Sequence, residues 1–303
     1  MNIFNNKKVC NVVSYVYDFA RKSKKTNVYK RMYRNLARHL DNFSKERKVE
    51  LMSDTFGDVI LEDFIDYLKS INLMQSTVYN IVEKLKSAHK RIKRDGYVIN
   101  NTFYDVHIKD EVGETVVLLT EEIRRIFELK LNKENRVIRD LFVVGCLTGM
   151  RYGDYSKINS DNIVGNTIVR KTLKTSETVI IPIHPIVRKI LDANSGEFPC
   201  YRRSQQNFNM RMKNICKKAG ITDEVLIERT IGYKVVRKRV KRYILIASHT
   251  ARRSFATNAY LAGILPAQIM LLTGHKNEEN FFRYIRINKM KNARDLADHE
   301  FFK

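Results

Sequence analysis

No two of the four cysteines, Cys10, Cys146, Cys200 and Cys216, form a CxxC pair, so neither a zinc site nor a disulfide framework is indicated. They read as reduced thiols of a cytoplasmic protein. No apolar run is long enough to span a bilayer, and the opening MNIFNNKKVC has no long apolar segment behind its basic residues. Neither secretion nor a membrane location is expected. Nucleotide and metal signatures are missing as well: there is no GxxxxGK[ST] loop, no GxGxxG after a strand and no HExxH. The acidic residues are scattered, whereas a metal-dependent nuclease clusters them. Scattered acids can still converge in space, but the pattern favours phosphoryl chemistry that rests on cations and a side-chain nucleophile, and no cofactor or metal is expected. Acid is also scarce in number, with 33 Asp and Glu against 56 Lys and Arg, a formal net charge of +23. A disordered basic tail would lack the 44% of apolar residues and the 15 Phe found here. The charge therefore belongs on a folded face, and the phosphate backbone of nucleic acid is the commonest partner for such a face.

Proline and glycine are distributed unevenly. All four prolines, at 182, 185, 199 and 266, lie in the second half, and the first 100 residues hold only Gly57 and Gly96. Long helices can run there unbroken. Residues 26–43 place Val28, Met32, Leu36, Leu40 and Phe43 at three- and four-residue steps, and residues 60–71 do the same through Ile60, Phe64, Ile65 and Leu68. A third helix is expected over 76–94, capped by Ser76 and ended at Asp95-Gly96. Its polar face carries Lys84, Lys86, Lys90, Arg91, Lys93 and Arg94, either a solvated face or a set of phosphate contacts. From Tyr104 to Val117 the periodicity is lost, which reads as a linker, and a new helix begins at Thr120 as a cap with Glu121 and Glu122 in its first turn. A chain of 303 residues at roughly 100 to 200 per domain suggests two domains, divided near residue 112. In the second, residues 166–183 are rich in Val, Ile and Thr around a polar break at Ser176-Glu177, which suggests a β-hairpin. Residues 232–246 form a second β-like stretch before helix resumes at Ser248 as a cap.

Three groups can carry chemistry. In LTGMRYGD, Arg151 follows an apolar helix and Asp154 comes three residues on; alone this reads as a helix end and an exposed Arg. In SHTARRSFATNAY, His249 and Arg252 share one face of a helix N-terminus, an arrangement that suits an anion, although a plain surface pair would look the same. In LLTGHKNEENFFRYI, His275 and Tyr284 stand nine residues apart, and a Tyr beside Phe281 and Phe282 is also what packing alone would give.

Taken in order, the groups are more specific than any one of them. An Arg, a hairpin Lys in the form KTxxxxxxP, HxxR, then GH with Tyr nine residues later resembles the tyrosine recombinase (phage integrase) family from about residue 20 to the end. The resemblance implies a mainly α fold with a small β component: a helical SAM-like core-binding domain, residues 1–112, then a mixed α/β catalytic domain, residues 113–303. It implies Arg151 and Arg252 as a clamp on the non-bridging phosphate oxygens, Tyr284 as nucleophile, His249 as base, Lys174 as acid for the leaving 5′ oxygen, and His275 as a phosphate contact or support for the nucleophile. Pro182 closes the lysine hairpin, and Asp154 sits where many members carry an acid that steadies the first arginine. Arg253 stands where many members have a second His.

The implied partners are double-stranded DNA and three further copies in a tetramer on DNA, the free protein being monomer or dimer, with accessory DNA-bending proteins possible. The implied location is the nucleoid. With about 20 residues ahead of the helical domain, no separate arm-type DNA-binding domain is expected, and apolar residues at Met290, Ala293, Leu296 and Ala297 suggest a short helix that docks on a neighbouring subunit or on its own. Lys234, Arg237, Lys238, Arg239, Lys241 and Arg242 are further candidate phosphate contacts. A type IB topoisomerase or a non-catalytic DNA-binding regulator remains the alternative.

Overall fold

The computed structural model describes residues 8–282, 285 and 297. Two compact units emerge: the first runs to Glu114 and also takes in Leu226–Lys238, and the second begins at Thr115, breaks off at Val225 and resumes at Arg239. The sequence-based division near residue 112 does not anticipate that the segment 226–238 groups with the first unit.

In the first unit, α1 (Val12–Lys22), α2 (Asn27–Arg47), α3 (Asp58–Ser70) and α4 (Gln75–Arg94) enclose a core of Val12, Val16, Leu36, Leu40, Phe43, Phe64, Leu68, Val82 and Leu85. Of the residues whose steps predict α2, Leu36, Leu40 and Phe43 lie in this core, whereas Val28 and Met32 in its first turns are 59% and 41% exposed, because the start of the helix faces solvent. Two details of α4 differ from expectation. Its N-cap is Met74, so Ser76 lies inside the first turn. The helix does end at Asp95, with Gly96 at φ +87. His89 on α4 is fully buried, stacked on Phe103 at 4.0 Å between ring centroids, with Nδ1 3.2 Å from the Tyr104 hydroxyl. Burial, and then Lys93, push its imidazole down to about 4.

The second unit begins with α5 (Thr120–Glu128), α6 (Lys133–Thr148) and α7 (Tyr152–Tyr155). Leu119, not Thr120, caps α5, and its N–H is received by the Glu122 carboxylate at 2.9 Å. Strands β1 (Ile163–Val164), β2 (Thr167–Lys171) and β3 (Thr178–Pro182) form an antiparallel sheet in that order. Ile168 pairs with Ile181, and these two side chains with Val179 form its buried face. Along the chain follow α8 (Pro185–Asp192), α9 (Gln205–Lys218), the two-stranded ribbon β4 (Glu224–Ile231) and β5 (Lys234–Lys241), most of which groups with the first unit, and then, again in the second, α10 (Ser248–Leu261), α11 (Pro266–Thr273) and α12 (Glu278–Phe282). Helix α6 is the centre of this core through Ile138, Leu141, Phe142, Val143 and Val144, all fully buried. Helix α10 lies against α6 and buries small residues, Ser248, Thr250, Ala251, Ser254, Ala256 and Thr257, which leaves room for one large buried polar side chain, Arg252.

The tip of the β4–β5 ribbon is bound closely within the first unit. The Gly232 N–H donates to the Leu73 carbonyl at 2.9 Å, Met74 pairs with Ile231, and the Glu111 carboxylate receives both the N–H and the hydroxyl of Thr230. Gly232 sits at φ +58, and a Cβ there would lie 2.8 Å from the Lys69 carbonyl oxygen, so only glycine fits.

Candidate active site

Five of the six residues implied as catalytic, Arg151, Lys174, His249, Arg252 and His275, fall on described parts of the second unit. Tyr284 lies outside the described residues, as do Met290, Ala293 and Leu296 of the expected tail helix; Ala297 alone of that stretch is described, as an exposed helical residue.

Gly149, at φ +68, ends α6, and the chain turns through Met150 so that Arg151 caps α7. A side chain on Gly149 would strike the Phe255 ring. The Arg151 side chain is half-buried, and its Nη1 is a buried donor with no hydrogen-bond partner among the described residues. Leaving such a donor unmade costs free energy, which any acceptor bound there, an anion or a water, would recover.

Arg252 is 1% exposed. Its Nη1 donates to the carbonyls of Gly149 at 3.0 Å and Thr273 at 2.6 Å, and its Nη2 lies 2.8 Å from His275 Nε2. A guanidinium can only donate, so His275 Nε2 accepts and Nδ1 carries the proton. That proton points at the Thr273 hydroxyl, 2.7 Å away, which donates in turn to the Ile269 carbonyl at 2.7 Å. The chain of donors holds His275 neutral. Burial first, then Arg252, Arg151 and His249, push its imidazole down to about 3. His275 thus braces Arg252. Its Nε2, the nitrogen a phosphate contact would use, is engaged by that guanidinium.

His249 opens α10, whose cap is Ala247 and not Ser248; the Ala247 N–H is received by the Thr250 hydroxyl at 3.1 Å. Ser248 instead receives a bond from Gln205 and donates its N–H to Asn209. Burial, then the cations Arg253, Arg252, Arg151 and Lys174, push His249 down to about 4. It is therefore a neutral imidazole at neutral pH, able to accept a proton.

Lys174 is exposed near the tip of the β2–β3 turn. The Asp154 carboxylate, 1% exposed, receives the Leu173 N–H at 2.8 Å, so this acid steadies the lysine turn, a partner other than the arginine that the resemblance suggests. Arg151, Lys174, Thr175, Gly274, His275, Lys276 and Asn277 line one cleft of about 320 Å³. No group of three metal-ligating side chains occurs among the described residues. What the cleft can do is hold an anionic phosphoryl group against the Arg151 guanidinium, with a neutral imidazole and the Lys174 and Lys276 ammonium groups beside it.

The candidate DNA-contact residues fare unevenly. On α4, Lys90, Lys93 and Arg94 are exposed, whereas Lys86 donates to the Val106 carbonyl at 2.7 Å and Arg91 lies over the Phe19 ring at 4.3 Å. Lys84 is half-buried. On β5, Lys234, Arg237, Lys238, Arg239 and Lys241 are all exposed, but Arg237 is paired with Glu228 and Lys241 with Glu224. Arg242 is drawn into Glu122 and Asp223 and is structural. The sequence reading missed Gly149, Thr273, Glu177 and Lys276; a Gly after an apolar helix was the one local signal among them.

Comparison with known proteins agrees with this architecture. Residues 11–109 match the family model of the phage integrase SAM-like domain. The integrase of Escherichia phage P2 is 25% identical over 178 residues, which is 58% of this chain and 44% of that protein. The match thus spans less than half of that relative's length. Among solved structures, the Tn1549 transposon integrase in complex with a circular intermediate DNA superposes with a TM-score of 0.67 at 15% identity, over 95% of this chain and 99% of that one. XerH site-specific recombinase bound to a palindromic difH substrate gives 0.68 at 16%, over 95% and 85%, and a lambda integrase dimer bound to a core site gives 0.66 at 15%, over 93% and 79%. The class is a helical SAM-like domain followed by a mixed α/β domain, and the whole chain has the fold of these solved structures. Within it, the resemblance to the tyrosine recombinase (phage integrase) family holds, in the matched domain and in the fold of the whole chain.

Proposed function

We propose that the protein is a site-specific DNA recombinase that cuts and rejoins strands through a 3′-phosphotyrosyl intermediate, for integration, excision, inversion or resolution. The carrying observation is the cleft that gathers Arg151, Lys174 and His275, with Arg252 locked behind it and a buried, unpartnered Nη1 on Arg151. Arg151 and Arg252 hold the non-bridging oxygens of the scissile phosphate, where charge grows as the nucleophile attacks. The Tyr284 oxygen bonds to phosphorus while the bond from phosphorus to the 5′ oxygen breaks. His249 takes the phenolic proton and Lys174 gives one to the departing 5′ oxygen. An imidazole near 4 is a weak base: burial depresses it first and the neighbouring cations add to that, and the cationic share is what the negative charge of the scissile phosphodiester offsets, so substrate binding raises it. Attack by the freed 5′ hydroxyl of a second strand reverses the chemistry and releases Tyr284. The bond energy is kept in the phosphotyrosyl link.

The substrate in this reading is double-stranded DNA, in a nucleoid setting, with four copies acting together and DNA-bending proteins as helpers. Exposed Lys90, Lys93, Arg94, Lys234, Lys238 and Arg239 are the proposed phosphate contacts. The test is covalent trapping: a nicked suicide duplex bearing a candidate site is incubated with wild type and with Tyr284→Phe, without metal, and resolved under denaturing conditions. A protein–DNA adduct with wild type alone is the expected result. Salt-sensitive binding without any adduct, on the protein's own selected sequences as well, would leave a DNA-binding regulator as the better reading. Relaxation of supercoiled DNA at no defined site would favour a topoisomerase.

A further inference from the structure

We propose that Glu177 and Lys276 are positioning residues that hold the Lys174 turn closed against the cleft. The inference rests on the recombinase reading and deepens it, because it concerns how the acid is aimed. An exposed lysine on a turn between two short strands has many available positions, and proton transfer needs one of them. The turn itself is tightly made. The Thr172 N–H donates to the Glu177 carbonyl at 2.8 Å, the Ser176 N–H to the Thr172 carbonyl at 3.0 Å, and the Glu177 N–H to the Thr172 hydroxyl at 3.2 Å. A rigid turn still needs fixing to its surroundings, and two ties do this from opposite sides of Lys174. On one side, Leu173 is bound to buried Asp154, three residues after Arg151. On the other, Glu177 Oε1 accepts from Lys276 Nζ at 2.6 Å, and Lys276 directly follows His275.

Close packing supports the second tie. Gly274 stands at φ +67, and a Cβ on it would lie 3.3 Å from Val179 Cγ1, 3.8 Å from Thr172 Cγ2 and 3.9 Å from Glu177 Cβ. The hairpin therefore rests against the backbone of the segment that carries His275. The two ties differ in kind. Asp154 is buried, whereas the Glu177 and Lys276 side chains are 47% and 62% exposed, where water competes for the pair and makes it the weaker tie. The pair is a latch on the solvent side of the acid, and Glu177 brings negative charge to the edge of a cleft whose charged lining residues are the cations Arg151, Lys174 and Lys276.

The test uses the full chain and two suicide duplexes, one with the ordinary scissile phosphodiester and one with sulfur in place of the bridging 5′ oxygen. A thiolate leaves without needing a proton, so the sulfur duplex reports everything except the acid. With unchanged thermal unfolding and DNA affinity, Glu177→Gln is expected to slow cleavage of the oxygen duplex by about 3- to 5-fold, the scale of an exposed ion pair, and to leave the sulfur duplex unaffected, while Lys276→Gln, which also alters the cleft lining, is expected to slow the oxygen duplex more than the sulfur duplex by the same factor. The exchange of both charges, Glu177→Lys with Lys276→Glu, is expected to cut faster than Lys276→Glu alone. Equal slowing on both duplexes, no slowing on either, or weakened DNA binding by Lys276→Gln as a direct phosphate contact would each overturn the latch. Absence of any wild-type adduct on either duplex would overturn the recombinase reading, and the latch with it.

Discussion

The two β-hairpins of this chain are built on opposite principles. The β2–β3 hairpin buries one face, with Ile168, Val179 and Ile181 each no more than 1% exposed, and its turn is tied to Asp154 and Lys276. In the β4–β5 ribbon every β5 residue except Val240 is exposed, and Leu226, Tyr233 and Val235 leave more than half of their surface open. The first is a rigid mount for one lysine. The second is a basic surface secured mainly at its tip. A hairpin that must deliver a proton needs a fixed geometry, while one that meets a phosphate backbone needs charge and tolerates imprecision.

The sharpest break of that comparison is chemical. Lys174→Ala is expected to lower single-turnover cleavage of an ordinary suicide duplex by about 10²- to 10⁴-fold, the usual worth of a positioned acid. Replacing Lys238 and Arg239 with Gln is expected to leave the same rate unchanged at saturating protein. Rapid-quench measurement of adduct formation compares the two. Equal losses from both hairpins would erase the distinction.

A smaller effect separates the hairpins by stability. Ile181→Ala removes a side chain 1% exposed in the packed face of β3 and is expected to cost about 2 to 4 kcal/mol. Val235→Ala, at a site 56% exposed, is expected to stay within about 0.5 kcal/mol. Urea unfolding of both variants reads the difference directly. A large loss from Val235→Ala would mean that the ribbon is covered in the folded protein in solution.

The same contrast explains what the sequence made legible. The β2–β3 hairpin was visible through its richness in Val, Ile and Thr around the polar break at Ser176-Glu177, although the exposed Ile180 between buried Val179 and Ile181 hides the alternation of its buried face. Strand β4, Glu-Val-Leu-Ile-Glu-Arg-Thr-Ile, was missed because a ribbon without a deeply buried face imposes no alternation, and only its partner from Gly232 onward looked β-like. Helices were legible through their apolar stripes, but the caps were placed one or two residues late at Ser76, Thr120 and Ser248. In α5 and α10 a residue in the first turn, Glu122 or Thr250, reaches back to the cap N–H, so an apolar cap suffices. Within the site, the residue types and order of Arg151, Lys174, His249, Arg252 and His275 stood in the sequence. What did not was the bond from Arg252 to His275, the support from Thr273 and the pairing of Glu177 with Lys276, because each depends on the meeting of distant segments.

The finest test concerns charge alone. On β5, Arg237 and Lys241 already face Glu228 and Glu224, so a phosphate that approaches them competes with a carboxylate. Lys238 and Arg239 are exposed and have no ion pair among the described residues. Each cation that neutralises a phosphate releases condensed counterion and contributes about 0.9 to the slope of log affinity against log salt. Lys238→Gln and Arg239→Gln are therefore each expected to lower that slope by about 0.9, equally on specific and random duplexes, while Arg237→Gln and Lys241→Gln lower it by less. Fluorescence anisotropy across a salt series measures all four. Equal slopes for the four variants would show that the carboxylates of β4 do not discriminate among these cations. A loss confined to one DNA sequence would instead assign the ribbon to base recognition, a task for which a fixed geometry, like that of the first hairpin, is required.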